Sequence, residues 1–276
     1  MTTGGWLAAL LDAGRFVVTS EVVPPRSSDA SPITVHARAL AGYVDAVNLT
    51  DNPAASAHMS PLAGVRAVAN AGIEPTVQLT SRDRNRLAIT ADLLGAWALG
   101  ARNVLCLSGD PLTVGDHPDA LAVADLGVND MVALARRMRD EGTLLSGAEL
   151  TEPPRYLVGV ADVPLADDYD PARIEAGRRG GRDLDADRIT TSSLAAWADR
   201  VRPLGVLERA KVLVGIAPLP LRGLRPEPPG SPAGVRVPSP APAGPGGSDA
   251  PRTSASSSRS AWSRASGGSQ ASRAST

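Results

Sequence analysis

Residues 16–26 read FVVTSEVVPPR, and the fold turns on how this stretch is understood. It is an apolar run of strand type that carries one carboxylate, Glu21, and stops at Pro24-Pro25. Proline has no N–H to give to a ladder, so paired backbone ends there. An acid near the C-terminal end of such a strand has two readings. It lies on the solvent face of an edge strand, or the strand delivers it to a site at the end of a sheet. The rest of the chain has to choose.

Five further runs share this character: 44–49 (VDAVNL), 75–80 (PTVQLT), 103–108 (NVLCLS), 156–161 (YLVGVA) and 211–217 (KVLVGIA). Each is short and rich in Val, Leu or Ile, which predicts parallel strands buried on both faces. Helical spacing fills the intervals at 33–42, 60–72, 84–100, 128–141 and 194–204. Two of these helices close in small-residue turns, at Asn70-Ala71-Gly72-Ile73 and Leu99-Gly100-Ala101-Arg102. Glycine supplies the left-handed conformation a helix C-terminus wants. The opening MTTGGWLAALLDAGRF has no basic leader or small-residue cleavage site and reads as a short amphipathic helix.

Repeated strand–helix units of this length specify an α/β protein with a parallel sheet. An open doubly wound sheet and a (β/α)8 TIM barrel compete. No G-x-G-x-x-G follows the first strand, which counts against a dinucleotide-binding open sheet. Polar residues gather where strands end: Glu21, Thr50-Asp51-Asn52, Gln78 and Thr80, Ser108-Gly109-Asp110. Several strands each contributing one or two polar groups is the pattern of a barrel's C-terminal rim. The barrel is the expected architecture.

Composition sets outer bounds. The chain has 276 residues, 43% of them apolar, which suits a soluble protein with a sizeable core. No uninterrupted apolar run is long enough for a membrane span, so no membrane partner is expected and the cytoplasm is the default location. Cys106 is the single cysteine, which excludes an internal disulfide and a cysteine-rich zinc site; inside the fourth strand it reads as core. His117 has no ligand-spaced partner, and no metal site is expected. Aromatic residues are scarce at 3%, which argues against base-stacking recognition of nucleic acid.

Two stretches break the pattern of the barrel domain, residues 1–218. Residues 177–193, GRRGGRDLDADRITTSS, stand where a sixth strand belongs but are almost devoid of apolar side chains and read as irregular. Residues 219–276 are dominated by Pro, Gly, Ser, Ala and Arg, and their seven arginines face two acids, Glu227 and Asp249. Such a tail cannot bury enough surface to offset its ordering entropy and is expected to be disordered, so the eighth strand that should follow VLVGIAPL is missing and the barrel is expected to be incomplete. Lys211 is the single lysine against many arginines, a sign of GC-rich coding, in which a displaced frame yields these same residue types. One codon set for Gly177–Arg182, read one base later, gives Ala-Asp-Ala-Gly-Ala, a plausible turn into a strand. A frame slip and a natural linker with a natural tail are the two readings.

Taken together, TSEVVPPR, VNLTDNP, PTVQLTSRDRN and LCLSGDP, in this order and spacing, resemble the methylenetetrahydrofolate reductase family. The likeness runs over about residues 5–176 and again over 194–218. It implies an FAD-containing β/α barrel that reduces 5,10-methylenetetrahydrofolate to 5-methyltetrahydrofolate with NAD(P)H, in one-carbon and methionine metabolism. A ping-pong order follows, with reduced nicotinamide leaving before the methylene-folate enters the same face. The family's catalytic glutamate falls on Glu21, as the general acid for the nitrogen released when the substrate ring opens. Asp110 matches an aspartate near flavin and pterin, and is taken as catalytic and cofactor-binding.

The resemblance puts Thr50, Asp51, Gln78, Ser108 and Gly109 at the flavin. Gln78 stands where some members have a histidine, and Ser108 where some have an arginine. Arg82 and Arg84, in SRDRN, have two readings, a phosphate contact and a solvated charge run that opens a helix, of which the second is expected. The chain also departs from the family. Its sixth-strand stretch has no glutamine to grip the pterin, and the nearby basic residues, Arg173, Arg178 and Arg179, are out of context for FAD phosphates. An inert barrel remnant or an interaction subunit is therefore the alternative. A barrel for a phosphorylated metabolite is a third reading, but no glycine-rich phosphate loop follows VLVGIAPL. Homo-oligomerisation is left open.

Overall fold

In the computed structural model, strands and helices alternate along the chain; residues 4–162, 183–186, 191–208 and 210–215 are described. They form α1 (Trp6–Asp12), β1 (Thr19–Val22), α2 (Ser31–Leu40), β2 (Ala46–Leu49), α3 (Pro61–Asn70), β3 (Glu74–Thr80) and α4 (Arg86–Leu99). Then follow β4 (Asn103–Leu107), α5 (Val128–Asp140), β5 (Leu157–Asp162), β6 (Asp183–Ala186), α6 (Thr191–Val201) and β7 (Lys211–Val214). All seven strands join one sheet in sequence order, and each neighbouring pair is parallel.

The two faces of the sheet are chemically different, because side chains alternate along a strand. Val22, Val47, Leu49, Val77, Leu79, Val104, Cys106, Val158 and Val160 point one way, into a core shared with Ile33, Val65, Ile89, Leu93 and Met131 of the helices. The opposite, inner face carries Glu21, Asn48, Thr76 and Asn103 as register partners in a row across β1–β4. β2 and β3 are buried throughout, as expected of strands covered on both faces, although five of their eleven residues, Asn48, Glu74, Thr76, Gln78 and Thr80, are polar.

The sheet is curled. Leu7, Ala8 and Leu11 of α1 share one apolar cluster with Ala46 of β2 and Leu157 of β5, and Val17 and Leu213 of β7 pack against it. Strands lie about 4.8 Å apart, so β2 and β7 of a flat sheet would be separated by about 24 Å. A helix of seven residues, at 1.5 Å rise per residue about 10 Å long, reaches both only if the strands wrap round it. This is the β/α barrel that the rim pattern predicts, with α1 plugging its N-terminal end.

The plug is held from inside. Glu74, 3% exposed at the start of β3, accepts from the Trp6 N–H (2.6 Å), the Leu7 N–H (3.3 Å) and Asn103 Nδ2 (2.8 Å). A carboxylate at a helix N-terminus satisfies N–H groups that have no partner within the helix. Both glycine turns behave as expected: Gly72 has φ +77 and Gly100 φ +114.

Within the stretch read as irregular, residues 183–186 (DLDA) form β6, paired with β5 on one side and β7 on the other. Backbone pairing needs no apolar side chains, so composition did not reveal this strand. The described residues lie within one compact unit, Met1–Val235. The other residues of 177–193, any eighth strand and the 219–276 tail fall outside the described residues.

Candidate active site

Glu21 is the third residue of β1 and lies on the inner face, opposite Asn48 in register. It is exposed, but its surroundings are not those of an idle edge-strand acid. Its Oε1 accepts a hydrogen bond of 2.7 Å from Nε2 of Gln78, which sits two strands away and is 6% exposed. Both side chains reach over β2 to meet. The structure thus brings together two of the residues singled out from the sequence, and does so on the inner rim. Glu21 Oε2 makes no hydrogen bond among the described residues.

Thr50 follows β2 on the same face. It is 5% exposed, and its hydroxyl has no hydrogen-bond partner among the described residues. Thr76, one layer deeper on β3, has the same property. A buried hydroxyl without a partner costs about 1–3 kcal/mol, so the inner wall retains unused hydrogen-bonding capacity where the rim opens.

Asp51 is placed differently. Its Oδ2 accepts from the Thr80 N–H (2.8 Å), the Thr80 hydroxyl (2.9 Å) and Arg84 Nη1 (2.6 Å), and its Oδ1 from Arg84 Nη2 (3.3 Å). Arg84 also donates to Asp92 at 2.8 Å. Asp51 therefore ties the end of β2 to β3 and α4. Burial works to lower the Arg84 pKa, but attraction to Asp51 and Asp92 outweighs it and the net shift is upward.

Arg82 is likewise not a solvated charge; it is 6% exposed. It donates to both carboxylate oxygens of Asp83 at 2.7 Å, to the Asp110 carbonyl at 3.1 Å and to the Asn52 carbonyl at 3.5 Å. One guanidinium thereby joins the loops after β2, β3 and β4. Its bond to Asp83 raises its pKa against the effect of burial, and the same bond holds the Asp83 carboxyl below its ordinary range. The expectation of a solvated SRDRN run is overturned for both arginines. The clue available in the sequence was the presence of acids able to pair with them in the neighbouring loops.

Asp110 extends from the loop after β4, and its Oδ2 accepts the Ala54 N–H at 2.7 Å. Gly109 is required beside it, since φ is +85 and a Cβ would lie 3.1 Å from Arg82 Cβ. Ser108, exposed, accepts the Arg82 N–H through its carbonyl at 3.2 Å. The loop after β2 is unusual in holding Asn52, Ala54 and Ala55 at φ 47, 53 and 52. Asp116 fastens this loop further, accepting the Ala57 N–H at 3.1 Å and pairing with Arg26 from the loop after β1. Thus Glu21, Thr50 and Gln78 line the inner rim, while Asp51 and Asp110 hold the loops around it. Cys106 faces the helix-side core, where burial pushes its thiol up to about 12. Among the described residues no group of His, Cys, Asp and Glu gathers to hold a metal, and no helix is long and apolar enough to cross a membrane.

A family model described as methylenetetrahydrofolate reductase matches residues 7–148. The chain belongs to the methylenetetrahydrofolate reductase family. Membership places it, at the level of the family, among folate-related oxidoreductases. The matched span contains every candidate residue from Glu21 to Asp110. No curated protein matches the chain. Among solved structures, a long-chain alkane monooxygenase is 12% identical with a TM-score of 0.45, over 72% of this chain and 64% of that one. The chain thus spans less than two thirds of that neighbour. A tryptophan synthase from M. tuberculosis is 14% identical with a TM-score of 0.47, over 78% of this chain and 79% of that one. An oxaloacetate acetylhydrolase is 10% identical with a TM-score of 0.48, over 78% and 80%.

Proposed function

We propose that this member of the methylenetetrahydrofolate reductase family reduces 5,10-methylenetetrahydrofolate to 5-methyltetrahydrofolate with FAD and NAD(P)H, and that Glu21 is its general acid. The observation that carries the reading is the state of Glu21. It stands on the inner face at the end of β1, with one oxygen held by Gln78 and the other unpartnered among the described residues.

Reductive opening of the substrate's five-membered ring leaves a nitrogen that needs a proton, and a fixed carboxylic acid at the rim supplies it. A flavin held beside Thr50 and Ser108-Gly109-Asp110 would supply the hydride-transfer chemistry. The inner rim fits such a ring system in one definite respect. The Thr50 hydroxyl is buried and unpartnered, and a polar ring atom beside it would satisfy it. In this reading Thr50 lines the ring's edge, Ser108-Gly109-Asp110 frames it, and Gln78 holds Glu21. Asp110 orders the Ala54 loop, and Asp51 contributes at one remove, by fixing Thr80 and Arg84.

The test separates the two half-reactions. Glu21→Gln keeps the shape and the contact with Gln78 but removes the acid. Flavin reduction by NAD(P)H is expected to proceed at the parent rate, while folate reduction falls by at least about a hundredfold, the lower end of the range for a lost general acid. Folate reduction that survives the change overturns the role of Glu21.

A further inference from the structure

We infer that Gln78 is a positioning residue for Glu21: its side-chain amide grips one carboxyl oxygen and aims the other, the proton-bearing one, into the rim. This rests on Glu21 being the general acid, and it differs from a flavin contact, the role that family likeness suggests for position 78.

The geometry supports the assignment from three directions. First, the bond between Gln78 Nε2 and Glu21 Oε1, at 2.7 Å, is the hydrogen bond that fixes Glu21 among the described residues. A glutamate side chain has three rotatable bonds, so an unheld acid would sample many positions. Second, the two residues differ in freedom. Gln78 is 6% exposed in a strand buried along its whole length, whereas Glu21 is exposed on a short strand. The fixed partner therefore sets the position of the mobile one. Third, an amide suits an acid that cycles. Its N–H donates to Oε1 both when the group is a carboxylate and when that atom is the carbonyl oxygen of the acid, so the proton is left to Oε2.

The charged groups on the surrounding elements are committed elsewhere. Asp51 after β2 holds Arg84, Arg82 after β3 holds Asp83, Asp110 after β4 holds the Ala54 N–H, and Arg26 after β1 holds Asp116. Glu74, two layers down on β3, holds α1. Asn48 and Thr76, the register neighbours across β2 and β3, are uncharged.

The experiment uses the full chain with two variants. Gln78→Met keeps length and volume but has no donor; Gln78→Glu keeps the shape and puts a second carboxyl against the first. The Glu21 carboxyl is followed by carbon NMR in cofactor-free protein, its signal assigned by its loss in Glu21→Gln. In Gln78→Met its signal at neutral pH is expected to be displaced and broadened, because the donor that fixes the side chain is gone. In Gln78→Glu the displacement is larger, since an attractive contact becomes a repulsive one. With FAD bound, Gln78→Met slows folate reduction about tenfold or more and leaves flavin reduction and the flavin absorbance spectrum unchanged. An unmoved signal in both variants overturns the inference. So does a flavin spectrum or flavin-reduction rate altered as much as folate reduction, which would make Gln78 a flavin contact. Retention of folate reduction in Glu21→Gln defeats the underlying role of Glu21 instead, so the two failures are told apart.

Discussion

Arg84 and Asp51 meet 2.6 Å apart below the rim, with 13% of one side chain and 1% of the other exposed. An ion pair this deep is a different object from a surface pair. Its attraction is little screened, and either partner alone would be a charge out of water. It links the C-terminal ends of β2 and β3 beside the two residues, Thr50 and Gln78, that line the inner rim.

Arg84→Met should therefore cost about 2–3 kcal/mol, the Asp51 carboxylate keeping Thr80 but losing its countercharge. Asp51→Asn combined with Arg84→Met should recover much of that loss, because no charge is left buried at position 51 and the amide oxygen still accepts from Thr80. Urea unfolding of both variants reads the difference directly. Equal losses in the single and the double variant would mean that packing, not charge, sets the cost.

The clamp between the loops after β2 and β4 makes two substitutions act in opposite directions. Ala54 sits at φ 53, a conformation costing an L-residue about 1–2 kcal/mol. Ala54→Gly should stabilise the fold by about 0.5 kcal/mol after the larger backbone entropy of glycine is subtracted. Gly115→Ala would place a Cβ 2.0 Å from the Ala55 carbonyl oxygen and should lose about 2 kcal/mol. Thermal melting of the pair should move in opposite senses, and a shared direction would refute the clamp.

Glu74 anchors α1 through three hydrogen bonds, so Glu74→Ala should free the plug. A loss of about 2–3 kcal/mol is expected, since buried donors are left without an acceptor. Hydrogen exchange at the Trp6 and Leu7 amides should quicken markedly, with that of β4 amides following only the global change. Continued protection of both amides would show that apolar packing alone seats the helix.

Acid should weaken the fold through Asp83, whose carboxyl is held low by its bond to Arg82 against the effect of its burial. A depressed carboxyl contributes its stability in full above its unfolded value, about 4, and loses it as pH falls through the folded value. The urea midpoint should fall from about pH 4 downward, and Asp83→Asn should make that fall shallower. Asp125 and Asp140 are lowered in the same sense by Arg86 and Arg139, so part of the slope will persist. An unchanged slope in Asp83→Asn would assign the whole effect to those other pairs.

The elements that a single sequence made legible are those whose cause is local. The apolar runs at 75–80 and 103–108 became β3 and β4, and the helical spacing at 128–141 became α5 (Val128–Asp140). Glu21 was legible as well, because an acid beside Pro24-Pro25 is odd wherever it lies. Glu74 was passed over because its partners, Trp6 and Leu7, are 68 and 67 residues away. Arg82 and Arg84 looked solvated because their burial depends on groups from other loops, the Asn52 and Asp110 carbonyls for Arg82 and the Asp51 carboxylate for Arg84. β6 was hidden for a different reason: DLDA pairs through its backbone, while composition speaks only for side chains.

The alternation along β2 and β3 sets a rule for how this protein can change in length. Glu74, Thr76 and Gln78 face inward while Val77 and Leu79 face the helices. One residue inserted or deleted within such a strand exchanges the two sets beyond that point, turning valine and leucine toward the rim and the polar row toward the oily layer. Point replacements in these strands can be survived one at a time, whereas a change of a single codon in length there removes the site and the core together. Insertions and deletions in descendants of this chain should accordingly collect in the loops and leave the spacing from Glu74 to Thr80 untouched.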